Sequence, residues 1–133
     1  MIKKITPLII FIFTSSIYSQ ENTKISTLDF VQILNNNKKE VLYYYQNNWE
    51  ILRKKAIKKN YILSYQLLET TPTNEAPFTF ILITTYRNKV QFSKREFHFQ
   101  ELIKTNGKLK LLNHKKPAEF RKTIFGKDVY HKE

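Results

Sequence analysis

FSKREFHFQELIKTNGKLKLLN, Phe92–Asn113, admits two readings that lead to different folds. As a hairpin it turns at Asn106-Gly107, a strong two-residue turn pair. As a helix it opens on Ser93 and Glu96 in capping-box positions, with Phe92 and Phe97 spaced as a hydrophobic staple around them. The helical reading uses four residues in register, aligns Phe99, Leu102 and Ile103 on one face, and makes Asn106-Gly107 a C-terminal stop. It is favoured on that count, and LKLLN, Leu109–Asn113, then becomes a short fourth strand.

Upstream, TLDFVQIL, Thr27–Leu34, sets Asp29 and Gln32 among apolar neighbours. The pattern permits strand or helix, and Asn35–Asn37, poor helix interior, favour the strand. From Lys38 to Lys59 the period is helical. At 100° per residue Val41, Leu42, Tyr45, Trp49, Leu52 and Ala56 fall in one arc about 100° wide, a core-facing stripe. Glu40, Asn47, Lys54, Lys55 and Lys58 lie opposite, while Arg53 sits at the margin of the apolar arc. After Asn60 the period shortens to two. YILSYQLLET, Tyr61–Thr70, and FTFILITTYR, Phe78–Arg87, are aromatic and β-branched strands joined by the turn TPTNEAP. Neither has a clean polar face, so this sheet requires cover on both sides. Helices supply one cover, and a second copy of the chain supplies the other most simply. PAEFRKTIFG, Pro117–Gly126, reads as a short helix that starts at Pro117 and stops at Gly126.

Composition narrows the setting. Residues 1–19 pair Lys3 and Lys4 with an apolar run from Ile5 to Thr14 and small residues ending at Ser19, the layout of a secretory signal. That run is shorter than the roughly 20 residues a membrane span needs. The expectation is an exported protein, periplasmic or secreted from a bacterium, with one domain at residues 20–133. With no cysteine there is no disulfide scaffold, thiol nucleophile or cysteine-ligated zinc. Removing Lys3 and Lys4 from the 23 basic residues leaves 21, which against 11 acidic residues is +10. Such a surface attracts anionic polymers or lipid headgroups, an alternative in which the chain is a non-enzymatic binding module. Nineteen of the basic residues are lysines scattered along the chain, a pattern of solubility more than of recognition.

The order β-α-β-β-α-β is the split βαβ, or ferredoxin-like, arrangement: an α+β antiparallel sheet with helices on one face, here with a short C-terminal helix added. Through FVQIL, NNWEILRKKAIKKNYILSYQLL, FILITTYRN and FSKREFHFQELI the chain resembles the dimeric α+β barrel proteins, the group of antibiotic-biosynthesis monooxygenase-like and stress-responsive barrel domains. The resemblance covers about 85 residues and rests on element order. It implies a homodimer formed sheet to sheet and a ligand cavity between sheet and helices. It also implies relatives that are cofactor-independent oxygenases, haem-degrading enzymes or binding proteins. The asparagine, tryptophan and histidine of the haem-degrading members do not transfer, because Trp49 falls on the first helix instead of a strand.

The residues themselves suggest a pocket. Trp49 and Arg53 are one helical turn apart, so an aromatic wall and a cation can meet one small apolar or anionic ligand. Tyr65 and Tyr86, one on each central strand, offer hydroxyls. His98, on the second helix, is the residue through which haem would be ligated, against the plainer reading of a half-exposed helix histidine. His98, His114 and His131 lie too far apart in sequence for a metal motif, and two glycines, Gly107 and Gly126, make no phosphate loop. Tyr61, Tyr65 and Tyr86 do not match the aromatic motif of RNA-stacking sheets, which disfavours nucleic acid.

Overall fold

Strand β1 (Ile25–Ile33) pairs on both sides and organises the sheet. On one side it meets β3 (Phe80–Tyr86) antiparallel, with Ile25 opposite Tyr86 and Val31 opposite Phe80. On the other it meets β4 (Arg121–Tyr130), with Asp29 opposite Gly126 and a bulge between Phe30 and Val31. β2 (Ser64–Glu69) closes the far edge against β3, giving the order β2-β3-β1-β4. The computed structural model describes residues 23–132, so the expected signal segment, residues 1–19, lies outside the described residues. Among the described residues no helix is long and apolar enough to cross a membrane.

The strand order and the antiparallel pairing are those of the ferredoxin-like fold expected from element order. Side chains alternate across a strand, so register assigns the two faces. Val31, Phe80 and Leu82 point toward the helices and pack with Val41, Tyr45 and Phe120. Tyr86 packs on the same side with Ala56, Ile62 and Leu102. Burying side chains of this size stabilises the fold by about 1.5–3 kcal/mol each relative to exposure. The first helical segment runs as α1 (Lys38–Tyr44), a π turn (Tyr45–Trp49) and α2 (Glu50–Lys58). The second runs as α3 (Lys89–Ser93) and α4 (Arg95–Asn106), so Phe92–Asn106 is helical and the hairpin alternative is excluded.

Three local expectations are corrected. The second helical segment does not begin on a Ser93–Glu96 box. It starts a turn earlier, where the Asn88 side chain accepts the Gln91 amide at 3.0 Å, and Ser93 donates back to the Val90 carbonyl. Phe97 is 71% exposed and staples nothing. Leu109–Asn113 is a loop and not a strand, because its backbone is held by a side chain. Buried Asn48 donates to the Lys110 carbonyl and accepts the Lys110 amide, both at 2.8 Å, which satisfies those groups as a strand neighbour would. The fourth strand is instead drawn from Pro117–Gly126, whose helical part, α5 (Pro117–Phe120), ends after four residues. From Arg121 onward, pairing with β1 outweighs the weak local start supplied by Pro117, and Gly126 lies within β4 instead of ending a helix.

Asn48→Ala removes both bonds to the Lys110 backbone, which are partly shielded from water, a loss of about 1–2 kcal/mol. Urea denaturation should show a lower midpoint with an unchanged slope.

Candidate functional site

Arg53 owes its position to the π turn. The side-chain amides of Asn47 and Asn48 donate to the carbonyls of Tyr43 and Tyr44 at 2.9 Å, competing for acceptors that an α-helical ladder would use. The backbone bonds widen accordingly, and the Glu50 amide reaches the Tyr45 carbonyl. One additional residue in a turn sets the following helix back by about 100° of phase. Arg53, marginal on a regular helical wheel, is thereby turned toward the sheet.

There its guanidinium lies between two rings, 4.7 Å from the centre of Trp49 and 4.1 Å from that of Phe99 on α4. Its Nε donates to the Thr84 hydroxyl on β3 at 3.1 Å, which locks the fork. Among the described residues no carboxylate lies within 4.0 Å of it. Burial pulls its pKa down to about 10, opposed by Tyr86 and Asp29, so it remains a cation at neutral pH.

Arg53 forms part of the wall of a cleft of about 440 Å³ between α4 and the β1–β4 side of the sheet. Asp29 and Tyr86 share the cleft with it, and Arg95, Glu96 and Asp128 stand around its mouth. Asp29 faces the helices by strand parity and is open to solvent, and its carboxylate accepts no hydrogen bond among the described residues. Gly126 provides its seat: a Cβ built there would stand 2.9 Å from Asp29 Oδ1. Desolvation by the surrounding protein raises the Asp29 carboxyl above the usual range; Arg53 opposes the shift and Asp128 adds to it. Burial likewise raises the Tyr86 hydroxyl, which keeps its proton at neutral pH. A larger groove of about 780 Å³ runs between the β1–α1 and β2–β3 loops. Its charged residues, Lys38 and Glu69, are paired with each other at 2.8 Å and offer a ligand little.

The five residues expected to bind ligand are thus distributed unevenly. Arg53 and Tyr86 line the cleft. Trp49 touches Arg53 without lining the cleft, and Tyr65, on the edge strand, meets Trp49 edge-on at 5.6 Å. His98 lies outside: its ring stacks on Tyr61 at 3.6 Å, and its Nδ1 is buried without a partner. Among the described residues no histidine lines the cleft and no cluster of metal-ligating side chains exists, so the arrangement does not fit a histidine-ligated haem. Arg95, Asp29, Asp128 and Gly126 were not anticipated as site residues. The available signal for Asp29 was a lone carboxylate on the same strand parity as Val31.

No protein-family model matches the chain, and no curated protein matches it. Three solved structures are similar in shape. HapK from Hahella chejuensis superposes with a TM-score of 0.48 at 5% identity, over 82% of this chain and 91% of that one. An antibiotic biosynthesis monooxygenase candidate from Nitrosomonas europaea gives 0.47 at 12% identity, over 86% and 92%. An uncharacterized NIPSNAP-like domain protein from Burkholderia xenovorans gives 0.42 at 9% identity, over 82% and 83%. The likeness is one of fold. No residue role passes from these proteins to this chain.

Asp29 also makes a pH prediction. The groups facing it are Arg53 from α2, Tyr45 from the π turn, Tyr86 from β3, Asp128 from β4, and Arg95 and Glu96 across the cleft on α4. Its folded pKa lies above its unfolded value, so its contribution is present below the unfolded pKa of about 3.9 and is lost as pH rises through the folded one. Asp29→Asn should therefore be more stable than the parent at pH 7, with the difference vanishing near pH 3.5. Thermal melts at the two pH values check this.

Proposed function

We propose that the chain is an exported small-molecule-binding protein whose ligand, apolar in body and anionic at one end, occupies the cleft with its anion on Arg53. The observation that carries the reading is a guanidinium clamped between two aromatic rings, without a carboxylate partner, beside a cavity of ligand size. An arginine fork held in this way is preorganised for a planar carboxylate. Phe99, Leu52 and Ile103 supply apolar wall. The signal-like residues 1–19 support export.

The same reading includes a homodimer. Leu28, Phe30, Ile81 and Ile83 point away from the helices, and Phe30 packs with Phe78 and Phe125 at 4.8 and 4.5 Å on that uncovered side. Leu68 and Phe125 there are 42% and 44% exposed. A contiguous apolar face of this kind marks an interface, and a second copy meets it with identical chemistry.

Trp49 is the sole tryptophan and touches Arg53, so its fluorescence reports occupancy of the cleft. Arg53→Met should weaken binding of an aromatic carboxylate by about 10- to 100-fold, the worth of a charge-assisted hydrogen bond. Binding that is indifferent to Arg53 but collapses steeply with salt would favour the anionic-polymer alternative. Ile83→Lys should convert a dimer to a monomer in light scattering while leaving the helical signal intact. A parent chain that already runs as a monomer rejects the interface.

A further inference from the structure

Among the ionisable groups of the cleft that ligand anchoring does not use, Asp29 sits on the sheet itself. Asp29 lies on the floor of the cleft that Arg53 walls, with both oxygens free of protein donors among the described residues and open to solvent. Its seat is purpose-shaped in the sense that Gly126, directly across the β1–β4 ladder, is the residue whose lack of a side chain leaves it space. Two further carboxylates, Glu96 and Asp128, border the cleft, and the remaining polar neighbours include donors. The Tyr86 hydroxyl, the Arg53 fork and the Arg95 guanidinium border the same space, and Arg95 is itself fixed over the Phe92 ring at 3.9 Å with one nitrogen bonded to the Phe92 carbonyl at 3.0 Å. The Thr84 hydroxyl is engaged by Arg53 and the chain has no cysteine, so the arrangement lacks an activated nucleophile but has a base, an anion anchor and hydrogen-bond donors. Those three parts are what abstraction of a proton next to a carbonyl requires.

Building on the cleft reading above, we propose that Asp29 is a catalytic general base that enolises an aromatic 2-oxo acid held by its carboxylate on Arg53. The carboxylate takes the proton from the carbon beside the ketone. The C–H electron pair becomes the new C=C bond, and the carbonyl π pair moves to oxygen, where Tyr86 or Arg95 donates a hydrogen bond. Asp29 then returns its proton to that oxygen, giving the enol and restoring the carboxylate. Nothing is oxidised or reduced, and no co-reactant is consumed. The raised pKa of Asp29 suits the role, since a stronger base is available when the carboxylate is ionised.

Phenylpyruvate is the probe. With the purified full-length chain in deuterium oxide, proton NMR follows loss of the methylene signal, while Trp49 fluorescence separately follows binding. The expected result is exchange at least about 100-fold faster than in buffer alone. Asp29→Asn, which removes a negative charge from the cleft, should bind phenylpyruvate at least as tightly as the parent yet exchange at the buffer rate, and Asp29→Glu should restore part of the activity. Unaltered thermal melting of Asp29→Asn at pH 3.5, where the parent residue is protonated, verifies that the variant is folded. A parent chain that binds the probe without accelerating exchange, or an Asp29→Asn variant as active as the parent, overturns the proposal and leaves the cleft reading standing. Absence of any fluorescence response in the parent overturns both.

Discussion

A guanidinium drawn under the helices of a small α+β domain has to be compensated, and the surroundings of Arg53 show how. Removing a charge from water is costly unless hydrogen bonds or other favourable contacts replace its hydration. Here two aromatic rings lie close to the guanidinium carbon and one threonine hydroxyl takes Nε. Arg53 also borders the cleft. Packing of α4 over α2 thus depends on Phe99 lying against Arg53 as much as on the apolar contacts of Leu102 with Ala56. The position of the cation depends in turn on a turn of π-helix that two asparagine side chains hold open.

Asparagine performs much of the backbone work elsewhere in this chain. With two glycines available, left-handed conformations fall to Asn35, Asn36, Asn60, Asn113 and His114, with φ between 54° and 57°. Asparagine tolerates that region better than most residues with a side chain, because it hydrogen-bonds locally. Asn37 and Asn113 go further and reach distant elements. Asn37 accepts Lys115 and donates to the Leu34 carbonyl, while Asn113 donates to Glu40. The Asn113 bond, then Glu40's own amide, holds the Glu40 carboxyl below the usual range. These links tie the long 107–116 loop to the first helix, and Asn48 completes the attachment. The two glycines have their own places, Gly107 with φ 79° at the end of α4 and Gly126 in β4, opposite Asp29.

The two sides of the sheet have different fates for a physical reason. The helix-facing side holds the buried core and, toward β4, opens into a cleft because α2 and α4 pack toward β2 and the Tyr86 end of β3. The opposite side carries aliphatic and aromatic residues in strand register with nothing over them among the described residues. One side therefore offers polar chemistry in a recess, and the other offers a broad apolar contact.

Much of this architecture was legible from local pattern. The helical period from Lys38, the shift to period two after Asn60, and the helical bias of Phe92–Asn106 each express a preference strong enough to survive into the fold. Arg53 could be singled out because a cation beside an apolar stripe is conspicuous on a wheel. What the sequence by itself determined was the types and order of the first five elements, and an apolar sheet needing two covers. Tertiary structure alone decided the fourth strand, since Arg121–Tyr130 becomes extended through pairing with β1, a contact about 100 residues away in sequence. It alone decided the phase of Arg53, set by side-chain bonds that a regular wheel omits. It alone placed Asp29 over Gly126 as well, because the register between two distant strands is a property of the assembled sheet.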